Sequence, residues 1–248
     1  MKRVLILGGT GDAAQLAAQV AALPGVEVIS SLAGRLRQPS KPVGQVRIGG
    51  FGGVAGLVDY VQDQHVDLLI DATHPFAHQM SGNAASAAQA CSLPYLMLVR
   101  PPWEAVAGDR WIVVESIAAA VAVVPGVAQR AFLTIGRQEL AAFAPLHHLW
   151  FLMRMIDPPA PDTPVPPGTL LLERGPFALA DERELLKKYD IGAIVSKNSG
   201  GDATYAKIRA ARELEVPVVM IQRPPLPAGE QVSTVGQAVA WVTRHLQS

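Results

Sequence analysis

The sequence predicts an α/β protein built from parallel sheets with helices on both faces. Short runs of Val, Ile and Leu alternate along the chain with alanine-rich stretches that have the length of helices. The apolar runs are continuous, without an apolar–polar alternation, which is typical of parallel strands buried on both faces. Half of the 248 residues are apolar and only 17% are charged, so material for a hydrophobic core is plentiful.

Eleven apolar runs are the predicted strands. Five belong to a first series, at positions 4–7, 26–30, 46–48, 66–70 and 94–99. Six form a second series, at positions 111–114, 131–135, 149–153, 169–172, 191–196 and 216–221. Eleven strands are more than one domain of this class usually contains, and we therefore expect two Rossmann-like domains. The predicted boundary divides residues 1–126 from residues 127–248. Whether the chain passes between the two halves more than once is left open by the sequence.

One segment interrupts the alternation of strands and helices. Residues 157–168 contain six prolines, so the segment is neither a helix nor a central strand. We interpret it as a stiff surface connection. A mobile flap beside a binding site is the alternative interpretation.

The charge and composition of the chain exclude several classes of function. Lys plus Arg and Asp plus Glu both number 21, which argues against a nucleic-acid partner and against a polybasic membrane anchor. No apolar run approaches the roughly 20 residues that span a bilayer. The apolar stretch after Met1 is too short for a secretory signal, and Cys91 has no second cysteine to pair with. We expect a cytoplasmic protein without membrane contact.

A glycine-rich turn follows the first predicted strand. It consists of Gly8, Gly9, Thr10, Gly11 and Asp12, and a helix begins there. A strand, a glycine turn and a helix in this order let backbone N–H groups meet a pyrophosphate. The spacing is Gly-x-x-Gly-x-x-Ala, a variant found in some NADP-binding reductases, although glycines also simply turn a strand into a helix. Asp12 suits the helix dipole but would repel a phosphate lying close to it.

The end of the second strand favours NADP over NAD. Ser31, Gly34 and Arg35 follow this strand, and Arg37 and Lys41 come soon after, without any Asp or Glu. An acidic residue at this place binds the ribose hydroxyls of NAD, whereas Arg with nearby hydroxyls accommodates the 2′-phosphate of NADP. A solvated basic loop is the alternative interpretation.

Two further strand ends are candidates for cofactor contact. Gly50, Phe51 and Gly52 follow the third strand, where small residues permit close approach of a flat ligand. Thr73 and His74 follow the fourth strand, where a nicotinamide usually lies. Three roles are open for His74, namely a proton-donating acid, a contact of the substrate or only a residue that forms the turn.

The second half of the chain has basic residues after nearly every predicted strand. They are Arg137, Arg154, Arg174, Lys197 and Arg223. Ligands of open parallel sheets bind outside the carboxyl ends of the strands, so these cations are expected at one edge. Buried, unpaired cations cost several kcal/mol, so such a row needs anions. The predicted ligand is a polyanion, since the planar fork of Arg suits carboxylates.

The segment after Lys197 adds further predicted substrate contacts. Asn198, Ser199 and Gly200 supply donors and a glycine turn, which together favour anion binding. The alternative for the whole row is that each cation pairs with a carboxylate of the chain, such as Glu139 or Glu173.

Several of these motifs together resemble the precorrin-6A reductase family of cobalamin biosynthesis. The motifs are GGTGDA, SLAGR, GGFGG, DATHPFA, LTIGR, RGPF, and KNSGG followed by AKIRAARELEVPVVMIQRP. They occur in the family's order and cover roughly residues 4–224. Asp12 departs from the Glu that the family would have at that position.

The resemblance implies two Rossmann-like domains, one for NADPH and one for a tetrapyrrole with many carboxylates. Residues 1–126 would then bind NADP and residues 127–248 the tetrapyrrole. The implied reaction is the NADPH-dependent reduction of one double bond of precorrin-6A to give precorrin-6B, with a transient hand-over to the next pathway enzyme. We predict no metal site and assign no catalytic residue, because water, His74 and Lys197 are all admissible proton donors.

Two alternatives to this function remain. The first is a cobalt-precorrin-6A reductase of the anaerobic route, since a metal in the ring centre need not touch the protein. The second is a non-catalytic NADP-binding regulator, which would need neither the row of cations nor a tetrapyrrole.

Overall fold

A computed structural model describes residues 1–34 and 42–246 of the chain. These residues form two compact units. Unit 1 contains residues 1–101 together with the stretch that starts at Pro224, and unit 2 contains Pro102–Arg223. The chain therefore leaves unit 1 after Pro101 and returns to it at Pro224.

Unit 1 is built on a six-stranded parallel sheet. Its strands, numbered in chain order, are β1 (Lys2–Leu7), β2 (Val26–Leu32), β3 (Gln45–Ile48), β4 (Leu68–Asp71), β5 (Tyr95–Leu98) and β12 (Glu230–Val232). The spatial order is β12-β5-β4-β1-β2-β3, and every neighbouring pair is parallel. The helices of the unit are α1 (Gly11–Ala21), α2 (Val54–Asp63), α3 (His78–Ala90) and α8 (Val235–Leu246).

Helices cover both faces of this sheet. Val4 and Ile6 of β1 pack with buried residues of α1 and α8. Leu5 and Leu7 point to the opposite face, where they pack with residues of α2 and α3. Because successive side chains of a strand alternate between the two faces, both must be apolar when both are covered. This requirement explains the continuous apolar runs of the sequence.

Unit 2 repeats the architecture with its own six parallel strands. They are β6 (Trp111–Val114), β7 (Arg130–Thr134), β8 (Trp150–Met155), β9 (Gly168–Leu172), β10 (Ala193–Lys197) and β11 (Val218–Ile221). The spatial order is β6-β11-β10-β7-β8-β9, and the neighbouring pairs are parallel. The helices are α4 (Ile117–Val123), α5 (Leu140–Phe143), α6 (Leu179–Lys188) and α7 (Ala206–Glu213), with 3₁₀ turns at Val124–Gly126 and Arg137–Glu139.

The core of unit 2 also lies on two faces of its sheet. Phe132, Leu152 and Ile194 pack with buried residues of α6 and α7. Phe151 points to the other face, where its ring meets that of Phe143 in α5 at 5.9 Å between centroids. Leu152 and Phe151 are neighbours in β8, so the alternation along this strand assigns each of its side chains to one face.

The predicted fold class is confirmed, and each of the eleven apolar runs overlaps a strand. The sequence lacked a pattern for β12, which has only three residues and is polar. The division of the described residues also differs from the expected one at residue 126. The reason is that β6 precedes residue 126 but pairs with β11 of unit 2. Residues 157–167 contain neither helix nor strand.

Within residues 1–34 and 42–246, no helix combines the length and the apolar character that crossing a membrane requires.

Candidate functional site

The carboxyl ends of the strands of unit 1 bring most of the predicted cofactor residues to one edge. In the ladders of the sheet, Leu7 lies opposite Ser31 on one side and opposite Asp71 on the other. The glycine turn after Leu7, the segment after Ser31 and the segment after Asp71 therefore start at the same level. We call this region the glycine edge.

Thr10 fixes the glycine turn at two points. Its Oγ1 accepts a hydrogen bond from the N–H of Ala13, at 3.1 Å, and donates one to the carbonyl of Ala72, at 2.9 Å. Thr10 is thus the N-cap of α1 and also ties the turn to the end of β4. Gly9 has φ +108°, which a residue with a Cβ rarely adopts. Apart from the adjoining backbone, no atom of residues 1–34 and 42–246 lies within 4 Å of the position where a Cβ at Gly9 or Gly11 would stand.

Asp12 forms an ion pair that the sequence did not indicate. Its Oδ2 lies 2.9 Å from Nη1 of Arg100, which follows β5. Both residues belong to unit 1. The carboxylate in the first turn of α1 therefore has a positive partner, which reduces the repulsion that a nearby phosphate would meet.

Arg47 lies at the end of β3 and was missed in the sequence. Its Nη1 donates to Oγ of Ser31 at 3.3 Å and to the carbonyl of Gly49 at 2.6 Å, and its Nη2 donates to the carbonyl of Gly50 at 2.7 Å. The guanidinium carbon lies 3.7 Å from the ring centroid of Phe51. Arg47 is thus a cation beside Ser31, and it fixes the start of the glycine-rich segment.

The other predicted residues of this region follow the ends of β2 and β3. Gly34 has φ +70° and Gly52 has φ +82°, so both need the conformational freedom of glycine. Phe51 also makes an edge contact with Tyr60 of α2, at 5.2 Å between ring centroids. Arg35, the residue expected to select NADP, lies outside the described residues.

The segment after β4 is organised by the buried carboxylate of Asp71. Asp71 accepts hydrogen bonds from the N–H of Thr73, at 3.0 Å, and from its hydroxyl, at 2.6 Å. The hydroxyl of Tyr95 in β5 lies 3.5 Å from the same carboxylate. Burial, and then the charge of Asp71, raise the pKa of Tyr95 well above its usual range, so the phenol stays protonated. Nδ1 of His74 accepts a hydrogen bond from the N–H of Phe76 at 3.2 Å.

The carboxyl edge of the sheet of unit 2 holds all five predicted cations. Their strands are neighbours in the order β11-β10-β7-β8-β9, and all are parallel. The cations in this order are Arg223, Lys197, Arg137, Arg154 and Arg174. We call this row the cation edge.

Arg154 is neutralised by the chain itself. Its guanidinium lies 2.5 Å from the carboxylate of Glu182 in α6 and 3.2 Å from that of Glu173. The rings of Phe177 and Phe132 flank it, with centroids at 3.9 and 4.7 Å. The expectation that a bound anion neutralises Arg154 is therefore corrected. The reason is the alternation of side chains along β8, which places Arg154 on the same helix-covered face of the sheet as Leu152.

The remaining four cations are more accessible than Arg154. Lys197 pairs with Glu139 at 3.3 Å. Arg137 donates to the carbonyl of Pro158 at 3.2 Å. Arg223 donates to the carbonyls of two residues of the segment after β10, Asn198 and Ser199, at 2.8 and 2.9 Å. Arg174 is exposed.

Asn198 is buried and bonded to the backbone of Trp103. Its Oδ1 accepts from the N–H of Trp103 at 2.8 Å, and its Nδ2 donates to the carbonyl of Trp103 at 3.0 Å. The indole N–H of Trp103 donates to the carbonyl of Gly201 at 2.8 Å. Gly200 and Gly201 have φ of +68° and +73°. Asn198 therefore shapes this loop, a role that its side chain performs through the backbone of Trp103.

Lys207 of α7 is a second buried cation below the same loop. Its Nζ donates to the carbonyl of Thr204 at 2.8 Å and lies 4.8 Å from the ring centroid of Trp103. Burial lowers the pKa of Lys207 from 10.5 to about 7, while the charge of Glu182 opposes this shift and that of Arg154 adds to it. The sequence alone did not indicate this group.

In the part of the chain that the structure describes, no group of three or more His, Cys, Asp or Glu side chains is placed to hold a metal ion.

Replacing Lys207 with Met is expected to flatten the pH dependence of the free energy of unfolding. Between pH 7 and pH 10.5 the unfolded chain binds the Lys207 proton while the folded chain has lost it. Stability of the wild type therefore rises with pH in this window, by up to about 1.4 kcal/mol per pH unit for one proton. Urea unfolding at several pH values from 7 to 10 measures the slope.

The matched control is Lys187→Met, because Lys187 is an exposed lysine of α6. This control should keep the wild-type slope. Equal slopes for Lys207→Met and the wild type would show that Lys207 keeps an ordinary pKa in the folded protein.

Comparisons with known proteins agree on one family. The family model described as "Precorrin-6x reductase CbiJ/CobK" matches residues 3–243. The chain is 54% identical to a precorrin-6A reductase of Rhodococcus erythropolis, over 98% of both chains. It is 45% identical to a precorrin-6A reductase of Rhodobacter capsulatus, over 99% of this chain and 97% of that protein. A solved structure titled "CobK precorrin-6A reductase" superposes with TM-score 0.92 at 44% identity, covering 99% of this chain and 97% of the other.

Proposed function

The chain belongs to the precorrin-6x reductase CbiJ/CobK family, and from this membership we propose that it reduces one double bond of precorrin-6A with NADPH to give precorrin-6B in cobalamin biosynthesis. The observation that carries the proposal is the cation edge, because four cations more accessible than Arg154 follow parallel strands of one sheet and lie at the same edge of it. A tetrapyrrole with many acetate and propionate groups is a ligand of matching charge. A cytoplasmic location and a transient hand-over of the product stay predictions.

The residues of the glycine edge fit a dinucleotide. Among the residues that the structure describes, the turn capped by Thr10 has no side chain packed against Gly9 or Gly11. The first N–H groups of a helix lack acceptors within that helix, so those of α1 are suited to a pyrophosphate. We propose that Gly8 and the backbone N–H of Asp12 complete this turn around the pyrophosphate.

The adenosine end of the dinucleotide would lie at the ends of β2 and β3. We propose Ser31, Gly34 and Arg35 as contacts of the 2′-phosphate, as the sequence predicts. Arg47 is added to this set because its guanidinium already lies beside the Ser31 hydroxyl. The segment Gly50–Phe51–Gly52 offers one aromatic ring between two small residues to the same part of the ligand.

The nicotinamide end would lie beside Thr73 and His74. Asp71 holds the hydroxyl and the N–H of Thr73, so the orientation of this segment is fixed before a ligand binds. NADPH, when bound, supplies the hydride for the reduction. We assign no proton donor, and water, His74 and Lys197 are the candidates for this role.

The cation edge would anchor the carboxylates of the substrate. We propose Arg137, Arg174, Lys197 and Arg223 as the contacts, with Ser199 and Gly200 beside them. Fixing several carboxylates limits the orientations of the ring, and such limits contribute to catalysis by positioning the reacting carbon. Arg154 and Asn198 would act on this edge indirectly, by holding Phe177, Glu173 and the loop after β10.

NADPH is expected to bind more tightly than NADH, and Arg47→Met should reduce this preference. A guanidinium beside the 2′-phosphate forms charge-assisted hydrogen bonds worth about 1.5–3 kcal/mol, which corresponds to roughly 10-fold or more in affinity. Fluorescence titration of both dinucleotides measures the ratio. Arg130→Met is the control, since Arg130 lies in unit 2 and donates to the carbonyl of Tyr189. Equal affinity of the wild type for the two cofactors would contradict the proposed choice of NADPH.

Arg174→Ala is expected to weaken substrate binding while NADPH binding stays unchanged. The loss of one accessible ion pair should raise KM about fivefold, corresponding to about 1 kcal/mol. Arg183→Ala is the matched control, because Arg183 is an exposed arginine of α6 that pairs with Glu213. Arg154 is unsuitable for this test, since its removal would leave the carboxylate of Glu182 buried without a partner. An unchanged KM for Arg174→Ala would remove this residue from the proposed contacts.

An absorbance assay with purified protein, NADPH and precorrin-6A tests the function itself. The expected result is oxidation of NADPH in step with loss of the precorrin-6A spectrum. A parallel reaction with cobalt-precorrin-6A distinguishes the enzyme of the anaerobic route, which would turn over the metallated ring faster. Binding of NADPH without turnover of either substrate would favour the non-catalytic regulator.

A further inference from the structure

We infer that Arg100 controls the affinity of the glycine edge for dinucleotides by neutralising Asp12. Arg100 would be a positioning residue that acts through the Asp12 carboxylate. The inference rests on the proposed dinucleotide site of unit 1 and adds to it a residue that lies far from the glycine turn in the sequence.

The position of Asp12 creates the need for a counter-charge. Asp12 is the second residue of α1, directly after Gly11. A carboxylate here is favourable for the helix dipole, because it lies near the unsatisfied N–H groups of the first turn. The same N–H groups are those proposed to receive the pyrophosphate, so the carboxylate and the ligand compete for one positive region.

Arg100 is placed to resolve this competition. Its Nη1 lies 2.9 Å from Oδ2 of Asp12, across 88 positions of the sequence. The side chain of Arg100 is 22% exposed and that of Asp12 is 40% exposed, so the cation is the more enclosed partner. An enclosed cation beside the carboxylate reduces the negative potential at the turn more effectively than mobile salt ions would.

Two other roles of Arg100 predict different results. If Arg100 contacts the phosphates directly, its loss weakens binding whether or not Asp12 carries a charge. If the ion pair only stabilises unit 1, loss of either partner lowers the midpoint of urea unfolding and leaves the affinity for dinucleotides unchanged. A cycle of single and double variants separates the three roles.

The cycle consists of Arg100→Met, Asp12→Asn and the double variant, with Arg100→Lys as a charge-preserving variant. Affinities for NADPH and NADH are measured by nicotinamide fluorescence at low and high salt, and urea unfolding is followed in parallel. Both dinucleotides are used because they share the pyrophosphate and differ only in the 2′-phosphate.

Arg100→Met should weaken the binding of both dinucleotides by about tenfold at low salt, because the unpaired carboxylate repels the pyrophosphate at short range. High salt should reduce this difference. Asp12→Asn should bind more tightly than the wild type, and the double variant should return to within about threefold of it. Arg100→Lys should stay close to the wild type. If Arg100→Met does not fold, Asp12→Asn keeps the test valid, because an affinity equal to that of the wild type would contradict the inference.

A double variant as weak as Arg100→Met would overturn the inference in favour of direct contact. Unchanged affinity of Arg100→Met for both dinucleotides would overturn it in favour of a structural ion pair. Equal wild-type affinity for NADPH and NADH would contradict only the proposed choice of NADPH. The affinities of the variants would still test the role of Arg100 with either dinucleotide. A wild type that binds neither dinucleotide would overturn both the proposed function and this inference.

Discussion

Parallel pairing of the strands is the constraint on which both candidate sites depend. In a parallel sheet every strand ends on the same side, so residues that follow different strands meet at one edge. Unit 1 collects its glycines, hydroxyls and Asp71 in this way, and unit 2 collects its cations. The register fixes the levels, since Leu7 lies opposite both Ser31 and Asp71.

The cations around the candidate site of unit 2 divide into a buried group, Arg154 and Lys207, and a more accessible group at the strand ends. Arg154 shares the helix-covered face of β8 with Leu152 and therefore meets Glu182 of α6. Lys207 is buried below the loop after β10, where desolvation lowers its pKa to about 7. Buried charges need partners within the chain. The accessible cations at the strand ends are the ones that suit an external anion.

Several residues matter because they hold other residues. Trp103 and Asn198 bond to each other reciprocally and shape the loop after β10. Asp71 orients Thr73, and Arg47 fixes the carbonyls of Gly49 and Gly50. Arg100 belongs to the same class through its ion pair with Asp12. The contacts of Asp71 and Arg47 are local, whereas those of Asn198 and Arg100 join segments that are far apart in the sequence.

The sequence by itself determined the α/β class, the eleven apolar strands and the position of the candidate residues after strand ends. These features follow from local composition, because a strand covered on both faces must be apolar throughout. Tertiary structure decided which strands are neighbours, where the chain returns to unit 1 through β12, and which charges meet. The ion pairs Arg154–Glu182 and Arg100–Asp12 join residues that are distant in the sequence. Periodicity reports the face on which a side chain lies, whereas the partner on that face is set by the packing of another element.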